Sequence, residues 1–226
     1  MHVTVLVVAA HPDDEVLGCG GAIARHAAAG EEVAVAFLAD GVTSRDINGQ
    51  HSAEIARRRG AAQRAAQILG VREVTFGELP DNRLDSVALL TLIQLVEGVV
   101  DRVRPTTIYT HFAHDLNVDH RLTSEAVITA ARPIPGSQVT TVLAFETASS
   151  TEWRAASAAT TFAPDWFIDI SDTLALKLEA LEAYAEEMRP WPHPRSTEAV
   201  RHLAQWRGSS VGRDAAEAFA VARHIQ

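Results

Sequence analysis

The amino-acid sequence predicts an α/β fold with a doubly wound, mostly parallel sheet and helices on both of its faces. Short apolar runs rich in β-branched residues alternate with longer alanine-rich segments, which is the pattern of consecutive βαβ units. Gly30 and Gly70 stand where helices of this kind commonly end. With 226 residues, 47% of them hydrophobic, the chain is expected to form a single domain over 1–226 around a sizeable core.

The elements can be assigned in chain order from these segments. Strands are predicted at the apolar runs 3–9, 32–38, 72–77, 106–110, 139–145 and 165–170. Helices are predicted at the segments between them, 16–29, 51–69, 86–102 and 120–132. After Thr147 the pattern becomes mainly helical, with helices predicted at 172–188, 197–206 and 213–223. We expect this mainly helical C-terminal part to pack on the same domain.

Composition and net charge limit the kinds of ligand and metal site that the protein can have. The formal net charge of −9 at pH 7 gives no general attraction to nucleic acid or anionic lipid, so a small-molecule substrate is expected. The single cysteine, Cys19, excludes a disulfide framework and a cysteine-rich zinc finger, so histidine and carboxylate side chains would have to hold any metal ion. The first apolar run is too short for a membrane span and poorly formed as a secretory signal, which predicts a cytoplasmic protein. A homo-oligomer is compatible with the sequence.

A histidine and three acidic residues directly follow the first predicted strand. His11 and Asp14 are three residues apart where the strand gives way to a helix, so both side chains can converge on one ion while Asp13 points elsewhere. A catalytic zinc site typically has three His, Asp or Glu ligands and keeps a fourth position for water. The acidic residues would also suit a helix N-terminus through capping and the helix dipole, but capping does not require His11.

The third ligand is expected from a second cluster, which follows the predicted strand 106–110. Three histidines fall within ten residues there, namely His111, His114 and His120. Because parallel strands end at the same edge of a sheet, the fold brings the two clusters together. A solvated loop is the alternative for any one of these histidines, but two such clusters at strand ends favour a metal site.

Two motifs at these positions carry a family resemblance. Residues 10–15 read Ala-His-Pro-Asp-Asp-Glu and 17–21 read Leu-Gly-Cys-Gly-Gly, while Asp119-His120-Arg121 stands at a predicted helix start. In these motifs the chain resembles the PIG-L/LmbE-like zinc-dependent N-acetylglucosaminyl deacetylases, and weaker similarities extend over nearly the whole chain. The resemblance implies a Rossmann-like fold, a Zn²⁺ cofactor and hydrolysis of an N-acyl amino sugar or a related amine.

The resemblance also implies roles for individual residues. The family's zinc ligands fall on His11, Asp14 and His120, and its general base falls on Asp13. Asp119 would lie directly behind the ligands and is counted with the catalytic group.

One position departs from the family pattern. Many relatives have a histidine, assigned to stabilising or protonating the intermediate, where this chain has Asn117. An asparagine can donate a hydrogen bond to an oxyanion but cannot supply a proton near neutral pH. Asn117 and His114 are therefore candidate catalytic residues, and the proton donor stays open between His114, His111, His193 and a second transfer by Asp13.

The leading hypothesis is a zinc-dependent hydrolase that removes the acetyl group from a small N-acetylated amino sugar or sugar conjugate. Its products would be acetate and a free amine. Arg58 and Asp81 match family positions that hold sugar hydroxyls, although Arg58 stands in a run of three arginines, which is equally typical of a solvated helix face.

Three alternatives were weighed against this hypothesis. The nearest is an amidase that cleaves a larger sugar or thiol conjugate on the same fold. A nucleotide-binding Rossmann domain is disfavoured because the glycines of 18–21 lie inside a predicted helix rather than in a turn directly after the strand. A non-catalytic binding protein is disfavoured because His11, Asp13, Asp14 and His120 are all retained.

Overall fold

The computed structural model describes residues 4–44, 51–157 and 160–226. The elements follow one another as β1 (Thr4–Ala9), α1 (Asp14–Ala28), β2 (Glu32–Ala39), α2 (Ser52–Leu69), β3 (Glu73–Leu79), a short 3-10 helix (Leu84–Ser86), α3 (Leu89–Val103), β4 (Thr107–His111), α4 (Val118–Ala130), β5 (Thr141–Phe145), β6 (Trp166–Asp169), α5 (Leu174–Glu182), α6 (Thr197–Ser209) and β7 (Ala216–His224).

A seven-stranded sheet with the order β3-β2-β1-β4-β5-β7-β6 organises the chain. The five strands from β3 to β5 are parallel neighbours, and β7 runs antiparallel to both β5 and β6. This arrangement confirms the predicted α/β class with its mostly parallel sheet. It also makes β1 and β4 direct neighbours, so that the segments following these two strands emerge side by side.

Helices cover both faces of the sheet. The strand β1 is therefore buried on both sides. Val5 and Val7 pack into a core with residues of α1, α2 and α5, whereas Leu6 and Val8 pack into a second core with residues of α3 and α4. This alternation follows from the two-residue period of a strand. No helix in the part of the chain that the structure describes is long and apolar enough to cross a membrane.

The predicted helix over 213–223 is wrong, because this segment forms β7. Its alanines suggested a helix, but they recur at every second position from Ala216 to Ala222, which is the period of a strand. Pairing with β5 and β6 on its two sides then outweighs the helical preference of alanine. The predicted helix over 172–188 is also shorter than expected, as α5 ends at Glu182. The C-terminal part therefore supplies two strands as well as two helices.

A buried ion pair between Lys177 and Glu217 provides hydrogen-bond partners for the backbone at a kink in α1. The backbone at Cys19 has φ −146° and ψ 24°, which interrupts the helix. The amides of Gly21 and Ala22 donate instead to the Glu217 carboxylate, at 2.9 and 2.7 Å. Lys177 pairs with Glu217 at 2.6 Å and also donates to the carbonyl two residues before the kink, at 2.9 Å. The pair therefore satisfies backbone groups that the kink removes from the helical hydrogen-bond ladder.

The helix α1 also lies unusually close to the sheet at Gly18. A Cβ atom at this position would overlap the ring of Phe145, with the ring atom Cε2 only 2.8 Å away. Phe145 is fully buried, so its ring has no room to move. The close packing of α1 against β5 therefore requires glycine.

We expect Gly18→Ala to lower the free energy of unfolding by about 1 to 3 kcal/mol, the usual cost of overpacking a core. Gly98→Ala is the matched control, because Gly98 is exposed inside α3 and an added Cβ would meet nothing within 4 Å. It should raise the stability by roughly 0.5 to 1 kcal/mol, since alanine restricts the unfolded chain and favours the helix. Urea unfolding followed by circular dichroism measures both. Equal stability of the two variants would contradict the packing argument.

Candidate metal centre

The site lies where β1 and β4 end side by side. His11 stands two residues beyond the end of β1, and His111 is the last residue of β4. The Ala10 amide donates to Nε2 of His111 at 2.9 Å, which ties the two strand ends together. Because Nε2 accepts this bond, the remaining ring proton of a neutral His111 lies on Nδ1, 3.3 Å from Thr147 Oγ1. The pKa of His111 lies well below its usual value, mainly because the side chain is buried. This low pKa agrees with the neutral form.

Three of the sequence-predicted ligands converge behind these strand ends. Asp14 Oδ2 lies 3.1 Å from His11 Nδ1 and 3.2 Å from His120 Nε2, and all three side chains are buried. Each residue offers one ligand atom, and these atoms lie within 4.8 Å of one another. One carboxylate and two imidazoles form a ligand set typical of zinc.

Two unsatisfied atoms indicate that a cation fits this group. Asp14 Oδ1 and His120 Nε2 are buried and form no well-aligned hydrogen bond with any described residue, and Asp14 Oδ2 lies 3.2 Å from this nitrogen. Burial lowers the pKa of His120, but the carboxylates of Asp14 and Asp115 outweigh it and raise the pKa to about 9. In the absence of a metal ion, a proton on His120 therefore supplies the positive charge that Asp14 needs. A divalent cation held by Asp14 and His120 would take the place of that proton.

Asp115 orients His120, a role that the sequence analysis did not assign. Its Oδ1 accepts a hydrogen bond from His120 Nδ1 at 3.0 Å, and it is held in turn by the hydroxyls of Ser150 and Thr151. A carboxylate in this position fixes the ring of a ligating histidine and makes it a stronger donor to a metal. The sequence signal was present, because Asp115 belongs to the second cluster, but it did not distinguish Asp115 from Asp119.

His11 also belongs to a second group of possible ligands. Its Nε2 lies 3.1 Å from both Asp81 Oδ1 and Asp119 Oδ2. Burial lowers the pKa of His11, but Asp119, Asp14 and Asp81 together raise it well above its usual value. This group has one imidazole and two carboxylates, whereas the first offers two imidazoles, which suit zinc better. Asp81 and Asp119 thus both lie against the proposed ligand His11, while their predicted roles, at the substrate and behind the ligands, stay predictions.

Asp13 stands outside both groups. Its backbone has φ 125°, a conformation rare for a residue with a side chain, and its amide donates to Glu15 Oε2 at 3.0 Å. Burial raises the pKa of Asp13 to about 6, although the nearby Arg195 works to lower it. Arg195 Nη1 lies 2.7 Å from Asp13 Oδ2. The turn thus directs Asp14 to the ligand group and Asp13 to an arginine that no local sequence signal could have linked to it.

Three predicted site residues have surroundings other than those expected. His114 is exposed and packs edge-on against Phe112, so it does not join the buried group. Asn117 caps α4, because its Oδ1 accepts the amide of Asp119 at 2.8 Å while its Nδ2 donates to Asn82.

Arg58 is buried rather than solvated. Its Nη1 donates to the Pro12 carbonyl at 3.0 Å, and its Nη2 forms an ion pair with Glu187. These contacts hold the turn that carries Asp13, and the contact of Arg58 with a sugar stays a prediction.

Comparisons with known proteins agree with the two motifs. Residues 6–131 match the model of the PIG-L family, described as GlcNAc-PI de-N-acetylase. The chain is 31% identical over 196 residues to a diacetylchitobiose deacetylase of Thermococcus kodakarensis, covering 81% of this chain and 69% of that protein. It is also 31% identical over 210 residues to a 4-oxalmesaconate hydratase of Pseudomonas putida, covering 84% of this chain and 76% of that protein.

A solved structure extends the similarity to the whole chain. The 4-carboxy-2-hydroxymuconate hydratase of Pseudomonas putida superposes with a TM-score of 0.79 at 25% identity, covering 99% of this chain and 98% of the hydratase. The family match spans more than half of the sequence and contains all three residues of the first ligand group. The chain therefore belongs to the PIG-L family.

Proposed function

We propose that the protein is a zinc-dependent N-deacetylase that acts on a small N-acetylated amino sugar or sugar conjugate. The observation that carries the proposal is the buried group of His11, Asp14 and His120 with a separate carboxylate, Asp13, on the adjoining turn. The family description and the relative named as a diacetylchitobiose deacetylase support an N-acetylated sugar as substrate.

Each group then has a chemical role. Zn²⁺ held by His11, Asp14 and His120 would lower the pKa of a bound water toward about 7 and polarise the amide carbonyl. Asp13 accepts a proton from the water while the water oxygen forms a bond to the carbonyl carbon. The carbonyl π electrons move to the carbonyl oxygen. Asp115 keeps the ring of His120 in place throughout.

Asp13 is also the best supported proton donor. His114 is exposed, both ring nitrogens of His111 are engaged by the Ala10 amide and by Thr147, and His193 accepts the Arg195 amide and packs against Trp153. Asp13 therefore returns the water proton to the nitrogen as the C–N bond breaks. This second transfer yields acetate and a free amine, and it needs no histidine at position 117.

Hydration is the second candidate function, because a hydratase is as similar to this chain as the deacetylase is. The same residues can deprotonate a water molecule that adds to a carbon–carbon double bond conjugated to a carbonyl. A direct comparison distinguishes the two reactions. Zinc-loaded protein is incubated with N,N'-diacetylchitobiose, N-acetylglucosamine, an acetylated lysine peptide and 4-carboxy-2-hydroxymuconate.

We expect release of acetate and a free amine from an N-acetylated sugar, faster than from the acetylated peptide. Acetate is measured enzymatically and the amine with a fluorogenic reagent, while hydration is followed by the loss of ultraviolet absorbance. Turnover of the muconate alone would replace the proposed function by hydration. Faster turnover of the peptide would refute the sugar assignment.

Metal binding distinguishes the two ligand groups. If zinc binds at the first group, His120→Ala should lose most of the bound zinc, whereas Asp81→Asn should keep it, since a zinc site needs its complete ligand set. His114→Ala is the control, because this exposed histidine lies outside both groups. Elemental analysis gives the zinc content and circular dichroism the fold. Zinc retained by His120→Ala but lost from Asp81→Asn would move the ion to the second group.

Asp13→Asn tests the general base. The substitution keeps the size of the side chain but removes the proton acceptor, so turnover should fall by about 10²-fold or more while the zinc content stays unchanged. Stopped assays on the best substrate of the panel measure kcat, and the same samples give the zinc content. Wild-type turnover in this variant would show that another residue accepts the proton.

A further inference from the structure

Arg195 reaches the site from the last third of the chain. It lies just before α6, and its Nη1 contacts Asp13 Oδ2 at 2.7 Å. Its Nε donates to Ser149 Oγ at 2.8 Å and approaches the Ala148 carbonyl at 3.4 Å. Two edges of the planar guanidinium are therefore fixed, one by the proposed general base and one by the loop that follows β5.

The third nitrogen of the guanidinium, Nη2, has N–H groups that are available to a ligand. A guanidinium carries five N–H groups, two of them on Nη2. Among residues 4–44, 51–157 and 160–226, Nη2 of Arg195 makes no hydrogen bond, whereas Nε and Nη1 do. The side chain is 20% exposed, whereas that of Asp13 is 2% exposed. A ligand bound beside Asp13 could therefore accept hydrogen bonds from Nη2 of Arg195, whose positive charge is held in a fixed position.

Arg58 also approaches this carboxylate, with Nη1 3.8 Å from Asp13 Oδ2, but it is held by other groups. Both terminal nitrogens of Arg58 are bonded, to the Pro12 carbonyl and to Glu187. Asn117 caps α4 and bonds to Asn82. Of these two arginines, Arg195 lies closer to the Asp13 carboxylate, at 2.7 Å against 3.8 Å, and it has the terminal nitrogen that makes no hydrogen bond to a described residue.

We propose that Arg195 is a catalytic residue, donating a hydrogen bond from Nη2 to the acetyl carbonyl oxygen as this oxygen becomes negative. The inference rests on the proposed deacetylation. A fixed donor stabilises the charge in the transition state more than in the bound substrate, because the oxygen gains charge only as the water adds. Charge-assisted hydrogen bonds are stronger than neutral ones, and an arginine keeps its charge at every working pH.

The alternative is that Arg195 only positions Asp13. A double-mutant comparison separates the two, with methylphosphonate as a probe that resembles the tetrahedral anion. Its affinity for zinc-loaded protein is measured by isothermal titration calorimetry. Arg195→Ala should weaken the binding of methylphosphonate by about 10-fold or more, both in the wild-type background and in the Asp13→Asn background. A loss confined to the wild-type background would overturn the proposal, and so would unchanged affinity in both.

Kinetics give a second readout. Removing one oxyanion donor typically costs about 10²- to 10³-fold in kcat, so Arg195→Ala should lower kcat in this range with little change in KM. Arg195→Lys keeps the charge without the planar fork and should restore part of the methylphosphonate affinity. An Arg195→Lys variant no better than the alanine variant would contradict a role that depends on charge.

Arg189→Ala is the matched control, because this arginine precedes Arg195 in the same loop and its side chain donates to the carbonyls of Glu186 and Met188, away from Asp13. It should bind the probe as the wild type does. Zinc content and thermal melting confirm that each variant is folded and loaded.

Failure of this inference can be distinguished from failure of the proposed function. Weaker probe binding by Arg195→Ala without acetate release from any substrate would support an anion site at Arg195 and refute the deacetylase function. Acetate release with unchanged probe binding would do the reverse.

Discussion

The burial of the Asp14 carboxylate among three imidazoles is the interaction on which the site depends. Asp14 is fully buried, and its Oδ2 lies within 3.5 Å of ring nitrogens of His11, His111 and His120. Burial raises the pKa of Asp14, but the histidines around it, above all His120, bring it well below its usual value. An isolated buried charge is too costly to persist, so the carboxylate requires a positive partner. The neighbouring order of β1 and β4 supplies the imidazoles from two distant parts of the chain.

Much of this arrangement could be predicted from the sequence. Polar residues directly after apolar strands, together with the common edge of a parallel sheet, correctly placed His11 and His120 in one group. The sequence could not choose between Asp115 and Asp119 as the partner of His120, because both lie within reach along the same loop and helix start. It also could not assign Arg195 to Asp13, since no periodicity or local motif links a residue before α6 to the turn after β1.

The misassigned strand β7 shows a further limit of local patterns. Alanine favours a helix by itself, and only the neighbours β5 and β6 make the two-residue period of this segment decisive. The strand has a consequence for the site, because Glu217 lies on it and binds the amides of Gly21 and Ala22 beyond the kink. The course of α1, which begins at Asp14, therefore depends on a strand more than 190 residues away in sequence.

The segment that matches the family model ends within the sheet, before β5. A fragment ending at residue 131 would contain all three residues of the first ligand group, but it would lack β5 and so leave β4 as an open edge. It would also lose Ser150 and Thr151, which hold Asp115, and Arg195, which contacts Asp13. Residues 6–131 thus carry the ligand atoms, and the rest of the chain adds contacts around them through Ser150, Thr151 and Arg195. Changes of chemistry within such a scaffold need not touch the ligands at all.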